Sequence, residues 1–352
     1  MQIKSNEPNS ISRIQSVDSS RLIAIFFIII LHTAPFRNVH LKHEELFSLG
    51  VIVNVVARFA VPFFFVISGY FWGIKVLNGS PVWPMSLQMI RRIGISYAVF
   101  CLLYLMPTQL VSIYKHGLSG PIDSRRNIEL EILNQPAINW PFVGTEEHLW
   151  FLPALICAIL ISAIFVRLKM PRFLLFVALG LYLFGLFAKS YSATPLGFSF
   201  SFNTRNGPFF GLIFFVLGYV LSRYPPKSTW FVNGCAVMAL GYLIQFSELN
   251  FLAAKYLVSP IQDCVVGTLF LGVGAALISL SDMPILRNRF MAYIGRFSLG
   301  IYALHYVFAE NFWVLRSISP MIDVLVVISV FILSIGATLL LARNKILARF
   351  LT

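Results

Sequence analysis

Residues 21–32 read RLIAIFFIIILH, so ten apolar side chains lie between Arg21 and His32. A long apolar run with few charges is typical of a helix that crosses the hydrocarbon core of a bilayer. Eleven residues at 100° each return almost to the same direction, which puts Arg21 and His32 on one helix face, about 16 Å apart along the axis. The stretch therefore predicts a membrane helix with a cation at one rim and an imidazole deep inside.

The whole chain shares this apolar character. Of its 352 residues, 58% are hydrophobic and 12% are charged, and the mean hydropathy is +0.81. Soluble domains are usually about one-quarter charged, so this composition predicts a polytopic membrane protein. It excludes a disordered protein, a disulfide-rich secreted domain and a soluble enzyme with a tail anchor. The net charge of +13 comes from small basic groups between apolar runs, which argues against nucleic-acid binding, and the four cysteines stand singly without metal-binding spacing.

Hydropathy divides the chain into ten apolar segments, and the expected fold is all-α with both termini cytoplasmic, because Lys and Arg fall mostly in the loops on one side. We expect a cytoplasmic N-terminal segment at 1–20, one membrane domain at 21–342, a cytoplasmic tail at 343–352, and a modest external loop at 114–147. The predicted helices are 21–40, 50–72, 93–113, 148–167, 172–190, 207–223, 230–248, 263–281, 296–315 and 322–341.

Ionisable residues inside membrane spans are costly to bury and are therefore functional candidates. His32 and Arg21 share one helix, and Arg58 lies in the second predicted span at a depth where it can meet His32. The alternatives are structural: Arg21 snorkels to the membrane surface, His32 is hydrogen-bonded within the bundle, and Arg58 pairs with carbonyls that Pro62 leaves free.

Several motifs in order along the chain resemble the acyltransferase-3 family of bacterial inner-membrane O-acyltransferases. Arg21 and His32 form an R-x10-H pair, and the stretch from Arg58 to Gly69 resembles R-x3-P-x-F-F-x2-S-G. Three further stretches fit the family, namely Arg91-Arg92 before the third span, HLWFL at 148–152 and SLGIYALH at 298–305. The resemblance covers nearly the whole chain.

The resemblance implies a ten-helix domain of a multi-pass bacterial inner-membrane protein. Such a domain transfers an acyl group, usually acetyl from acetyl-CoA, to a sugar hydroxyl of a surface glycan or its lipid-linked precursor. The family's catalytic histidine corresponds to His32 and its donor-binding arginine to Arg21. Because the chain ends at Thr352, soon after the last predicted span, it resembles the family members that consist of the membrane domain alone.

Acyl transfer from a thioester needs a base for the hydroxyl proton and a donor that steadies the oxyanion. We expect His32 to be the base and Arg58 to polarise the thioester or bind the sugar, with Glu147 a candidate to orient a histidine. Direct transfer and an acyl-histidine intermediate are both compatible with these residues.

The remaining candidates concern substrate binding. Arg91 and Arg92 are expected to bind the phosphates of coenzyme A, although positive-inside charge needs no ligand. Trp150 and Tyr302 either stack on a sugar or belong to aromatic belts, while His305 is expected near the cavity of His32 and Arg205 near the acceptor. We expect acetyl-CoA, a glycan acceptor and the lipid bilayer as partners, with no bound cofactor and no metal.

A transporter or flippase for a lipid-linked sugar or a small anionic solute is the main alternative, since buried ionisable groups also suit proton-coupled transport. The sequence shows no evident two-half repeat, which argues against that alternative. A purely structural scaffold does not account for three buried cations.

Overall fold

A computed structural model describes residues 14–37, 39, 48–106, 136–316 and 318–351, together with positions 109–110, 113–114, 117, 130 and 134. The described residues form helices joined by loops and contain no strand. The α-helices are α1 Gln15–Thr33, α2 Leu49–Ala57, α3 Ala60–Leu77, α4 Val82–Leu105, α5 Trp140–Val143, α6 Phe151–Arg167, α7 Pro171–Phe187, α8 Pro208–Leu221, α9 Thr229–Tyr256, α10 Val266–Leu280, α11 Arg289–Gly295, α12 Ser298–Phe312, α13 Pro320–Leu341 and α14 Lys345–Leu351.

The all-α prediction is confirmed, and each predicted segment overlaps an observed helix. Six helical segments are long and apolar enough to span a bilayer: α1, α2 with α3, α4, Glu147–Arg167, α9 and α13. Three apolar helices are shorter, namely α7, α8 and α10 with 17, 14 and 15 residues. The number of ten spans and the cytoplasmic position of both termini stay predictions.

The first helix is displaced from its predicted limits of 21–40. It begins at Gln15, where the buried Ser16 hydroxyl donates to the carbonyl oxygen of Ser279 at 2.8 Å. It ends at Thr33, because Ala34 adopts a left-handed φ of 41° and Pro35 cannot continue the hydrogen-bond ladder. His32 therefore lies in the last turn of α1 and not in its middle.

Other boundaries differ in ways that matter for the site. The predicted second span, 50–72, is broken between α2 and α3 at Arg58 and Phe59. The third begins at Val82, so Arg91 and Arg92 lie inside α4 and not before it. A separate short helix, α11, precedes α12, and Lys345–Leu351 is helical within the predicted tail. Much of the predicted external loop, including Arg125 and Arg126, lies outside the described residues.

Helices α1, α3, α6 and α8 form the centre of the bundle, whereas α4, α9 and α13 expose most of their surface. Within the centre, α3 crosses α8 at very short range. A Cβ atom on Gly69 would lie 1.9 Å from the carbonyl oxygen of Phe215, and one on Gly218 would lie 1.9 Å from that of Val66. Such backbone contact requires glycine on both helices and fixes α3 against α8.

Candidate functional site

A cavity of about 670 Å³ opens between α1, α3, α4, α6 and α12. Arg21, Arg92 and Arg296 supply its cationic end, and we call it the arginine cavity. Ile25 and Ile28 continue its wall along the face of α1 that starts at Arg21. The next residue on this helical face is His32, so the wall leads toward the imidazole. The remaining lining residues are Val61, Phe64, Ser68, Ile93, Phe151, Leu152, Leu155, Phe297, Ser298, Leu299 and Tyr302.

Three histidines, His32, His148 and His305, meet one to two turns beyond this wall, and we call them the histidine cluster. The ring centroids of His32 and His305 are 5.1 Å apart, and that of His148 lies 5.2 Å from His305 and 6.1 Å from His32. Tyr306 stacks on His148 with a centroid distance of 4.9 Å, and Tyr104 meets its edge at 5.1 Å. Aromatic rings therefore fix the planes of the histidines from several sides.

Tyr302 connects the arginine cavity to the histidine cluster. Its side chain lines the cavity, and its hydroxyl donates to the carbonyl oxygen of His148. One turn further along α12, His305 Nδ1 donates to the carbonyl oxygen of Tyr302. This bond fixes the tautomer of His305, because a neutral imidazole that donates through Nδ1 accepts through Nε2.

The ring nitrogens of the cluster are left free for another partner. His148 Nδ1, His148 Nε2 and His305 Nε2 are buried without a hydrogen-bond partner among the described residues, where His32 also forms no hydrogen bond. His32 is the half-buried member, whereas His148 and His305 are 1% and 0% exposed. Within the part of the chain that the structure describes, no group of three His, Cys, Asp or Glu side chains is arranged to hold a metal ion.

A second charged group lies where α2 breaks. The Asp263 carboxylate forms ion pairs with Arg58 at 3.0 Å and with Lys189 at 2.6 Å, and the Arg205 guanidinium lies 3.7 Å from it. Arg205 also pairs with Glu147 at 2.9 Å. We call these five residues the Asp263 cluster. Its cations are near the catalytic candidates, since Arg205, Arg58 and Asp263 all interact electrostatically with His32.

The Asp263 cluster holds its charges in place. Burial alone would raise the pKa of Asp263, but Arg205, Lys189 and Arg58 hold the pKa of this carboxyl well below its usual range. Burial would lower the pKa of Arg205, yet Asp263 and Glu147 raise the pKa above its usual value. The carboxylate and the guanidinium therefore stay ionised across the physiological range.

Each residue predicted from the sequence now has a position. Arg21 and Arg92 lie together in the arginine cavity, and His32 lies beside His305. Arg21 additionally pairs with Asp18 at 2.9 Å. Arg91 lies with Arg92 in a neighbouring cavity of about 540 Å³ that also contains Arg349.

Other predicted residues have different neighbours from those expected. Arg58 bonds Asp263 and the Asn54 side chain, not carbonyls near Pro62. Glu147 pairs with Arg205 and not with a histidine, and its side chain is 64% exposed. Trp150 is buried and packs under the Arg205 guanidinium, whose carbon lies 5.2 Å from the ring centroid. Its face is thus occupied by a cation.

Sequence reasoning missed Arg296, His148, Asp263 and Lys189 as site residues. Asp263 and Lys189 each stand at the end of a predicted apolar segment, where an ionisable residue is a signal of function or pairing. His148 stands in the HLWFL stretch, but nothing local indicates that it will meet α1 and α12. Helix packing between distant parts of the chain brings these residues to the site.

The fold and the site define an all-helical, multi-pass membrane protein with a histidine cluster beside a cationic cavity. The model of one protein family, described as "Acyltransferase domain", matches residues 14–343. The chain therefore belongs to the acyltransferase-3 family, whose activity is acyl transfer to a hydroxyl group.

Two curated proteins that resemble this chain are named as racemases. A serine/alanine racemase of Enterococcus gallinarum is 26% identical over 351 residues, which cover 94% of this chain and 46% of that protein. An amino-acid racemase of Enterococcus faecalis is 32% identical over 223 residues, covering 60% of this chain and 28% of the relative. The chain thus spans less than half the length of these relatives. No solved structure matches.

Proposed function

We propose that the protein transfers an acetyl group from cytoplasmic acetyl-CoA to a sugar hydroxyl of a bacterial surface glycan or its lipid-linked precursor. In this proposal the protein lies in the bacterial inner membrane, and the arginine cavity opens toward the cytoplasm. Arg21, Arg92 and Arg296 bind the donor's phosphates, for which guanidinium forks are well suited. Arg91 and Arg349 extend the cationic surface in the adjoining cavity.

One observation carries the proposal. The same cavity that presents three arginines at one end reaches Tyr302, which bonds the backbone of His148 and accepts from His305. Its walls are otherwise mainly apolar, which suits the uncharged arm between the phosphates and the thioester of the donor. A thioester that follows these walls arrives beside the histidine cluster.

The chemistry follows from the free nitrogens of the cluster. His32 accepts the proton of the sugar hydroxyl as the oxygen attacks the thioester carbonyl carbon. The tetrahedral intermediate then expels the coenzyme A thiolate, which takes the proton from the imidazolium, so that an ester and a free thiol are the products. The positive charges of Arg58 and Arg205 that act on His32 also stabilise the oxyanion formed next to it.

Glu147 has a modest part in this mechanism. Because its carboxylate bonds Arg205, it holds that guanidinium before the acceptor binds and does not orient a histidine. The stacking of Arg205 on Trp150 assists the same positioning. The racemase activity in the names of the relatives belongs to proteins about twice as long, and we do not extend it to this chain.

Mass spectrometry of surface glycans tests the proposal. Cells that express the wild type should carry glycan heavier by one acetyl group, and cells with His32→Ala or no protein should not. Since general-base catalysis typically contributes about 100- to 10,000-fold, residual transfer in His32→Ala should lie at the detection limit. Arg172→Gln, an exposed arginine outside the cavity lining, is the matched control and should retain full transfer. Wild-type levels of acetylation in His32→Ala would refute the role of the histidine.

A flux assay distinguishes the transporter alternative from acyl transfer. Protein in liposomes without acetyl-CoA should move neither lipid-linked sugar nor small anions. Flux that depends on His32, in the absence of glycan acetylation, would favour transport.

A further inference from the structure

A further cavity, separate from the two that contain arginines, adjoins the Asp263 cluster at Lys189. This cavity of about 390 Å³ is lined by Pro136, Asn139, Ala188, Lys189 and residues 200–204. Lys189 bonds Asp263 and, at 2.7 Å, the side chain of Asn203. Arg205 follows directly after the lining residue Thr204 and pairs with the same Asp263. Lys189 thus belongs to both the cavity and the Asp263 cluster, and Arg205 adjoins the cavity through Thr204.

The charges of the cluster do not cancel. Arg58, Lys189 and Arg205 supply three positive charges, whereas Asp263 and Glu147 supply two negative charges, which leaves one positive charge. The two carboxylates also differ in exposure, with the Asp263 side chain 21% exposed and that of Glu147 64% exposed. Glu147 is therefore the partner that an incoming anion can replace at Arg205 with little rearrangement.

Two buried polar atoms at this place have no partner among the described residues. One is the donor Nε of Arg205, whose side chain is 14% exposed. The other is Asn139 Oδ1, an acceptor in the wall of the cavity. Buried polar groups in proteins are nearly always hydrogen-bonded. An unpaired acceptor in the cavity wall and an unpaired donor on the adjoining Arg205 therefore fit a ligand that supplies both a hydroxyl and an oxyanion.

The loop beside the cavity adds an apolar surface. Leu196, Phe198 and Phe200 are 74%, 38% and 43% exposed, and Phe200 also lines the cavity. These side chains lie next to the cationic group and can contact hydrocarbon, either that of the bilayer or that of a lipid-borne ligand.

We propose that the Asp263 cluster binds the phosphate of a phosphate-bearing acceptor, with Arg205 and Lys189 as donors and Glu147 as the displaced partner. The inference rests on the proposed function and defines its acceptor as anionic. Asn139 accepts a hydroxyl hydrogen bond from the attached sugar, and the apolar loop contacts a lipid tail. A lipid-linked phosphate and a free sugar phosphate share this oxyanion chemistry, and the test separates them.

Binding of farnesyl phosphate to the full chain in lipid nanodiscs tests the site by calorimetry without acetyl-CoA. The wild type should bind farnesyl phosphate, while farnesol, which lacks the phosphate, should not bind. Arg205→Gln should weaken the affinity at least tenfold, and Glu147→Gln should tighten it several-fold by removing the competing carboxylate. The matched control Arg172→Gln should bind as the wild type does. Arg205→Lys keeps the positive charge but lacks Nε, so its affinity for farnesyl phosphate should lie between those of the wild type and Arg205→Gln. This variant replaces Arg205→Gln in the test if Arg205→Gln fails to fold.

The outcomes separate the source of the phosphate. Methyl phosphate that binds much more weakly than farnesyl phosphate supports a lipid-borne ligand, whereas equal binding supports the oxyanion site and rejects the role of the apolar loop. Equal affinity of wild type and Arg205→Gln, or equal binding of farnesol, would overturn the proposal. Because no acyl transfer is measured, phosphate binding without glycan acetylation would remove the proposed function and leave this site standing.

Discussion

The arginine cavity and the Asp263 cluster both contain three cations, yet they hold them in opposite ways. Arg92 and Arg296 are exposed and form no ion pair with the described residues. In the Asp263 cluster, Arg58, Lys189 and Arg205 share one carboxylate and are 14–26% exposed. The difference teaches that cations in this membrane protein are held in two states: exposed cations meet a ligand directly, whereas shared cations are positioned by carboxylates and exchange one carboxylate when a ligand binds.

Asp263→Asn should have the largest effect on this contrast. It removes the carboxylate that Arg58 and Lys189 share and leaves Arg205 with Glu147 alone. We expect the free energy of unfolding to fall by about 3 kcal/mol, near the low end for breaking a buried ion pair. Thermal unfolding in nanodiscs measures this loss. The matched control Asp282→Asn breaks the exposed pair with Arg287 and should cost less than about 1 kcal/mol. Equal losses in both variants would mean that the Asp263 cluster has no special structural role.

The arginine cavity should respond in binding and not in stability. Arg92→Gln and Arg296→Gln should each raise KM for acetyl-CoA about tenfold, which corresponds to about 1.4 kcal/mol, with kcat and thermal unfolding nearly unchanged. Steady-state kinetics of glycan acetylation provide the measurement. A fall in kcat with constant KM would place these arginines in the chemical step instead.

Acidification should affect the Asp263 cluster in one direction. The pKa of Asp263 is held well below its usual range, whereas the pKa of an aspartate in an unfolded chain is about 3.9. The cluster therefore contributes its full stability above about pH 5, and the contribution is lost as the pH falls below the unfolded value. The stability difference between wild type and Asp263→Asn should be constant from neutral pH to about pH 5 and shrink below about pH 4. A difference that shrinks already at neutral pH would contradict the ionised cluster.

Salt should give the smallest effect and still separate the two regions. The Debye length falls from about 8 Å at physiological ionic strength to about 3 Å at 1 M, which screens exposed charges far more than buried ones. We expect KM for acetyl-CoA to rise several-fold with salt while the stability lost in Asp263→Asn changes little. Parallel changes in both quantities would remove the distinction.

The two regions also differ in how well the sequence predicts them. The arginine cavity follows one face of α1 from Arg21 toward His32, and helical periodicity reveals that alignment directly. The Asp263 cluster joins Arg58 to a residue 205 positions away, and no local pattern contains that pairing. The helix break at Arg58 does have a local signal, because Pro62 lacks the N–H that would bond the carbonyl oxygen of Arg58 and its ring crowds that carbonyl. Tertiary contacts decide the pairing, whereas the break has a local cause.

The short helices α8 and α10 have a consequence for the protein interior. At 1.5 Å per residue, α8 and α10 are only about 21 and 22 Å long, whereas a typical hydrocarbon core is about 30 Å thick. Most residues of both helices are buried by neighbouring helices, which shield their ends from lipid. Non-helical backbone is tolerated at the depth of a bilayer where protein covers it. The short length of α8 and α10 therefore leaves room inside the protein for the charged residues that precede them, Arg205 and Asp263.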